Sequence, residues 1–337
     1  MKAVNLQSPN TIGIKALDPP KRSASEALIK IRAGGICGSD IGAFRGTNPL
    51  VSYPRIIGHE IAGEIVEIGE NSKALKAGDR VVLDPYLYCG HCYPCSIKRT
   101  NCCESLRVLG VHVDGGMAEY FTHPAEMLVK IPDGMPFEIA PLSEPLTIAL
   151  HAIHRTRVRA GQHVAINGAG AIGILMALCA IAYGAEPILI DPVEKRLEYA
   201  KTLGVKHTIP LNEGPATAKI RDITNGRMAE VVMEASGANS AIRSTLDMVS
   251  HAGVIALTGW PKTETPLPTD VITRKEIDIV GCRTSAGEFE EALSLMISGR
   301  VKADAVMSKV IPFEEVPEAV RELSAHPDRY LKINFSM

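Results

Sequence analysis

The sequence predicts an α/β protein in two parts: a β-rich, turn-rich N-terminal domain, then a doubly wound parallel sheet with helices on both faces. Three observations predict it. Residues 1–140 carry short alternating apolar runs broken by glycine and proline. From residue 163 onward apolar strands alternate with helical stretches, which is the pattern of a parallel sheet. The chain has 337 residues, more than the roughly 100–200 that one core comfortably serves.

Composition narrows the class. Apolar residues make up 46% and charged residues 22%, so whole-chain disorder, a collagen-like chain and a disulfide knot are excluded. The formal net charge of −2 shows no basic excess for a nucleic-acid partner. The opening MKAVNLQSPN has no apolar core of a secretion signal, so a cytoplasmic location is expected. Residues 168–185 are uncharged over eighteen positions and approach the length of a membrane span. Their four glycines argue for another role, and no membrane partner is expected.

The elements follow in order. ALIKIRAGG (27–35) and EIAGEIVEIG (60–69) alternate as strands, with Gly63 and Gly69 at close-approach or turn positions. Gly78-Asp79 is a turn and RVVLDPYLY (80–88) a further strand, together suggesting a partly closed barrel. HVAIN (163–167) is a strand, 171–183 a helix, PILID (187–191) a strand and 193–203 a helix ending at Gly204. HTIP, VVMEA and VIALTG continue the strands, with a helix over 239–250 between the last two. An amphipathic helix over 287–297 places Phe289, Ala292, Leu293 and Met296 on one side and ends at Gly299. Pro317 fits the first turn of a short final helix.

The cysteines carry the next constraint. Eight occur, at positions 37, 89, 92, 95, 102, 103, 179 and 282. Without a secretion signal, thiolate chemistry is favoured over disulfides. Cys89, Cys92 and Cys95 have two-residue gaps that turn successive thiolates onto one ion, and Cys103 closes a tetrahedron. Zinc suits such a closed four-sulfur site. An iron–sulfur cluster also takes four thiolates, and spacing alone leaves it open. Cys102 faces away if Cys103 ligates. Lys98, Arg99 and Arg107 are the only basic residues nearby and read as a solvated surface, not a nucleic-acid contact.

A glycine loop follows the 163–167 strand. Gly168 makes the tight turn, Gly170 lets a pyrophosphate approach a helix N-terminus, and Gly173 packs the helix on the sheet. Asp191, at the end of the next strand, is suited to accept hydrogen bonds from an adenosine ribose and would repel a 2′-phosphate. NAD is therefore expected over NADP. Arg196 is a candidate to cover the adenine ribose, the alternative being a solvated helix arginine.

A second metal constellation lies in two short loops, Cys37-Gly-Ser39-Asp40 and Gly58-His59-Glu60, with a further carboxylate at Glu144. Cysteine, histidine and glutamate form a reasonable three-ligand set for a catalytic zinc, the fourth place open to water or substrate. Asp40 is suited to hold the second imidazole nitrogen of His59. Spacing this loose also fits residues that only pack.

In order along the chain stand CGSD (37–40), GHExxGxIxxxG (58–69), GDRV (78–81), the cysteine run 89–103, GGMAEY (115–120), the glycine loop and Asp191. On these motifs the whole chain resembles the zinc-dependent medium-chain alcohol/polyol dehydrogenases. In motif it is nearest to bacterial sugar-acid (galactonate-type) and sorbitol-type enzymes. The resemblance implies a GroES-like catalytic domain over 1–145 with both zinc sites and a Rossmann NAD-binding domain over 146–284. It also implies a C-terminal segment, 285–337, that returns to the catalytic domain. It makes Cys37, His59 and Glu144 zinc ligands, with Glu60 an alternating or water-held ligand and Ser39 the proton relay. Gly168, Gly170, Ile172 and Gly173 would form the cofactor loop, and Lys332 would reach the NAD pyrophosphate. Glu144 stands where ethanol-type members carry a second cysteine, which points to polyol-type substrates. One position departs: a histidine is usual five residues after the first zinc cysteine, and here it is Gly42. Relatives form dimers or tetramers, so a homodimer or homotetramer is expected.

The expected activity is therefore hydride transfer from a secondary hydroxyl of a sugar acid or polyol to NAD, with two zinc ions per chain. Arg45 and Arg283 are candidates for a substrate carboxylate, with a surface arginine or a salt bridge as the plainer reading of each. The rival readings are a threonine- or butanediol-type secondary-alcohol dehydrogenase and a non-catalytic NAD(H)-binding zinc regulator.

Overall fold

The computed structural model describes residues 1–337, the side chain at position 213 excepted. The chain divides into two compact units. The first comprises Met1–Glu144, Phe289–Ser298 and Ala303–Met337, and the second Pro145–Glu288 and Gly299–Lys302. The expected C-terminal segment is thus interrupted, because Gly299–Lys302 groups with the second unit.

The first unit opens with β1 (Lys2–Ser8), β2 (Thr11–Ala16), β3 (Glu26–Ile36), α1 (Gly38–Phe44), β4 (Arg55–Ile56) and β5 (Glu60–Ile68). Then come β6 (Arg80–Leu83), β7 (Tyr86–Leu87), α2 (Tyr93–Ser96), β8 (Arg107–Val108), β9 (Tyr120–Pro124) and β10 (Leu128–Lys130), and the unit boundary falls within α3 (Ser143–Thr156), whose first turn holds Glu144 on the first unit's side. The strand expected over 80–88 is two strands, β6 and β7. Pro85 has no N–H for a ladder, so the pairing partner changes from β5 and β10 to β8.

The second unit runs β11 (His163–Asn167), α4 (Ala171–Ala182), β12 (Glu186–Asp191), α5 (Glu194–Thr202), β13 (His207–Pro210), α6 (Ala216–Ile223) and β14 (Ala229–Glu234). It continues with α7 (Asn239–Met248), β15 (Val249–Leu257), α8 (Thr269–Lys275) and β16 (Asp278–Gly281). The remaining elements, α9 (Phe289–Ile297), β17 (Lys309–Pro312), α10 (Val316–Ala325) and β18 (Ile333–Ser336), belong to the first unit.

A seven-stranded sheet dominates the first unit, in the order β10-β6-β5-β3-β18-β17, with β9 also on β3. The last strand of the chain therefore lies antiparallel beside β3, Ile333 opposite Ile36. Inward residues of alternating strands form the core, among them Leu6, Ile29, Ile31, Ile61, Ile65 and Leu83. Phe313 and Phe335 close it with an edge-to-face contact, ring centroids 5.5 Å apart.

The second unit holds a six-stranded parallel sheet ordered β13-β12-β11-β14-β15-β16. The order reverses beside β11, which is where such sheets bind ligands, at the carboxyl ends of the strands. The uncharged 168–185 stretch resolves into the glycine turn and α4, whose buried face packs on β11 and β12. A helix of that length is about 18 Å long, and among the described residues no helix is long and apolar enough to cross a membrane.

Candidate active site

Among the described residues, two clusters of metal-ligating side chains lie in the first unit, both built by short loops. In the first, Cys37 follows β3 directly and caps α1, where its N–H donates to Asp40 Oδ2 at 2.9 Å. That bond fixes the Cys37 backbone just past the end of β3. His59 and Glu60 begin β5, the neighbouring strand, in which Glu60 stands opposite Gly35 of β3. Adjacent strands thereby bring residues more than twenty positions apart to one point. Donor atoms of Cys37, His59 and Glu60 all lie within 4.8 Å of one another. His59 is 5% exposed and Glu60 fully buried.

Gly35 is required here. A Cβ at that position would sit 2.0 Å from Glu60 Oε2, so the missing side chain is the room the carboxylate occupies. Glu60 Oε1 accepts a hydrogen bond from Lys332 Nζ at 2.5 Å, and Lys332 also donates to Ile36 O at 3.2 Å. Lys332 was expected at a cofactor pyrophosphate. Its ammonium is instead committed to Glu60, because the β18–β3 pairing carries it to this end of the sheet.

Ser39 Oγ lies 3.4 Å from His59 Nε2. Asp40 Oδ1 faces His59 Nδ1 at 3.9 Å, and neither atom has a hydrogen-bond partner. Burial opposes a charged His59, but Cys37, Asp40 and Glu144 overcome it and raise its pKa well above the usual histidine range. Such a crowd of buried negative charge calls for a cation.

Glu144 stands in the first turn of α3, where Pro145 continues the helix without needing an N–H partner. Its carboxylate lies outside the three-donor set and accepts a hydrogen bond from the Tyr86 hydroxyl. Burial and then the charge of Glu60 outweigh His59, Tyr86 and Lys332, and hold Glu144 up at about 6. The sequence reading missed Tyr86; its only local signal was an aromatic just ahead of the cysteine run.

The donor set fits a zinc ion with an open position: one thiolate, one imidazole and a carboxylate, with Glu60 Oε2 buried and unpartnered. The second cluster is closed. Cys89, Cys92, Cys95 and Cys103 bring their sulfurs within 4.8 Å of one another, with Cys92 Sγ 3.4 Å from Cys95 Sγ. Cys102 is not among them. Backbone N–H groups of His91 and Cys92 draw Cys89 down to about 6, toward the thiolate a metal needs.

In the second unit the glycine loop links β11 to α4. Gly168 has φ +101°, and a Cβ on Gly173 would lie 1.8 Å from Gly168 O. Asp191 Oδ2 accepts the Ala169 N–H at 2.6 Å and Oδ1 the Val193 N–H at 2.7 Å. Asp191 thus ties the loop to the end of β12, and each oxygen keeps capacity for a second donor. Ile172 is half-buried in the first turn of α4, and Arg196 half-buried on α5.

The candidate substrate arginines fare differently. Arg45 is directed elsewhere: Nε donates to Ser324 Oγ at 3.0 Å and its guanidinium also meets Ser324 O, at the end of α10. A cation is favoured at a helix C-terminus, and that is where Arg45 is held. Arg283 is half-buried beyond β16. Gly42 lies within α1, near Thr47 and Asn48.

With this geometry, likeness to other proteins becomes informative. Residues 23–133 match the alcohol dehydrogenase GroES-like domain and residues 171–298 the zinc-binding dehydrogenase family. A zinc-type alcohol dehydrogenase-like protein of Haemophilus influenzae is 57% identical over 99% of this chain and 98% of its own. The chain belongs to the zinc-type medium-chain alcohol dehydrogenase family. The L-galactonate-5-dehydrogenase of Escherichia coli K12 is 36% identical over 94% of both chains. A solved NADH complex from E. coli CFT073, described as a short chain alcohol dehydrogenase (rspB), superposes with a TM-score of 0.94 at 32% identity. It covers 100% of this chain and 99% of that one. This dehydrogenase is accordingly a zinc-dependent, NAD(P)-linked enzyme of alcohols or polyols, with a four-cysteine structural cluster and a catalytic Cys/His/Glu site.

Proposed function

We propose that the enzyme oxidises a secondary hydroxyl of a sugar acid or polyol and passes the hydride to NAD. The observation that carries the reading is the second buried carboxylate, Glu144, within electrostatic reach of the Cys37, His59 and Glu60 donors. Hard oxygen donors beside a single thiolate suit a substrate offering two neighbouring oxygens. The 36% identity to an enzyme named for L-galactonate supports the sugar-acid side. Asp191, buried at the end of β12, supports NAD over NADP.

A zinc ion bound by Cys37, His59 and Glu60 supplies Lewis acidity that lowers the pKa of the substrate hydroxyl. The residues do the rest. Cys37 and Glu60 fix the donors from adjacent strands. Asp40 places a buried carboxylate 3.9 Å from His59 Nδ1 and favours the imidazole's charged form by proximity. Ser39 Oγ, half-buried beside His59 Nε2, would take the hydroxyl proton while passing its own to a solvent water. Lys332 holds Glu60 by Oε1 and leaves Oε2 for the ion.

The test is NAD reduction by the zinc-loaded enzyme against aldonates, their alditols and short secondary alcohols. The expected result is a kcat/KM for an aldonate or alditol at least about tenfold above 2-butanol and 2,3-butanediol, a difference of about 1.4 kcal/mol. A short alcohol that outperforms them all overturns the reading in favour of a butanediol-type enzyme.

A further inference from the structure

Tyr86 is 4% exposed and sits in β7, which pairs with β8. Those two strands are the stem of the loop that carries Cys89, Cys92, Cys95 and Cys103. The backbone of Tyr86 is held on several sides. Its N–H donates to Asp84 Oδ1 at 3.1 Å, it stands opposite Val108, and the preceding Pro85 O accepts the Leu109 N–H at 3.1 Å. Asp84 is itself fixed, since its O meets His123 Nε2 at 2.8 Å and its N–H donates to Met127 O at 2.9 Å. From this rigid base the ring points inward and its hydroxyl donates to Glu144 Oε1.

A buried phenol costs free energy unless its O–H finds a partner, and phenylalanine would fill the same space without that cost. The carboxylate of Glu144 supplies that partner, with the Tyr86 O–H as the donor.

We propose that Tyr86 is a positioning residue whose hydroxyl fixes the Glu144 carboxylate toward the Cys37–His59–Glu60 donors, with the stem of the four-cysteine loop as its anchor. The inference rests on the reading of those donors as a metal centre. Outer partners of metal-site carboxylates typically change metal affinity 10–100-fold when removed. A tyrosine that merely packs would not.

The experiment is site-resolved zinc release from the full-length enzyme to a chromogenic chelator. The parent is expected to carry two zinc ions, and Cys37→Ser assigns the kinetic phase of the candidate catalytic ion. Tyr86→Phe should release that ion at least about tenfold faster and leave the four-cysteine phase unchanged. Glu144→Gln should release it faster too, and adding Tyr86→Phe to Glu144→Gln should change the rate less than twofold, because the carboxylate being positioned is already gone. kcat should fall in Tyr86→Phe while KM for NAD stays within twofold. An unchanged release phase in Tyr86→Phe overturns the proposal, as does an equal acceleration by Tyr86→Phe in both backgrounds. A parent with one zinc that Cys37→Ser does not remove overturns the metal-centre reading first, and this proposal with it. If Tyr86→Phe folds poorly, Tyr86→Met reads the same phase, since it also lacks the hydroxyl.

Discussion

Lys332 Nζ lies 2.5 Å from Glu60 Oε1, both side chains at most 5% exposed, and the two residues are 272 positions apart in the chain. The pair joins the last strand to the start of β5 at the metal donors. Removing one member of a buried pair leaves the other uncompensated, at a cost of about 3–5 kcal/mol. Lys332→Met should therefore destabilise the zinc-free chain by about that amount in urea unfolding. The loss should shrink in the zinc-loaded enzyme, where a cation faces Glu60 from the other side. Equal losses in both forms would show that Glu60 does not face the ion.

Gly35 offers a sharper steric probe. Alanine there would set a methyl group 2.0 Å from Glu60 Oε2, so Gly35→Ala should displace the carboxylate. Zinc content should drop from two to one per chain, with the remaining ion in the four-cysteine site. Retention of both ions at parent affinity would contradict the placement of Glu60.

The four-cysteine lobe should behave as a folding element. A closed thiolate site contributes its binding free energy directly to stability. Cys103→Ser should lose one zinc and lower Tm in calorimetry by more than Cys37→Ser does, because only Cys103 belongs to the closed site. The reverse order of Tm values would count against that division.

Acid stability should depend on His123. Its ring is 1% exposed, and burial lowers its pKa to about 4, against an ordinary value of 6.5. Between those values the unfolded chain binds a proton that the folded chain does not. Stability is therefore full above about pH 6.5 and falls as pH drops toward 4. The cost between pH 7 and pH 5 is about 2 kcal/mol. His123→Gln, whose amide N–H can still reach Asp84 O, should flatten that fall in urea midpoints measured at the two pH values. A variant with the parent slope would remove His123 from the account.

Asp191 holds Ala169 and Val193 by their N–H groups. Asp191→Ala should raise KM for NAD roughly tenfold, about 1.4 kcal/mol, and relax any preference against NADP in steady-state assays. Unaltered KM values for both cofactors would show the carboxylate serves the loop alone.

The local features of this enzyme were legible in the sequence because they are local. The 163–167 strand, the glycine turn and the first helix after it follow from neighbouring residues, and the four cysteines fall within fifteen positions. Pro85 was visible too, yet its effect on the 80–88 run depends on which strand pairs on each side. Tyr86 on Glu144, Lys332 on Glu60 and Arg45 on Ser324 are 58, 272 and 279 positions apart. No spacing rule reaches that far. Arg45 lies between two metal motifs in the sequence, whereas the Ser324 hydroxyl and carbonyl near the end of α10 hold its guanidinium.

The central claim is that Cys37, His59 and Glu60 hold the ion that makes this chain a dehydrogenase. The most direct test is the NAD-reduction rate of Cys37→Ser, measured on the best substrate of the parent with zinc content verified on the same sample. The account predicts one retained zinc, a folded protein and a loss of kcat/KM of at least about a thousandfold, some 4 kcal/mol. A folded Cys37→Ser that keeps parent activity with a single zinc in the four-cysteine site would contradict it.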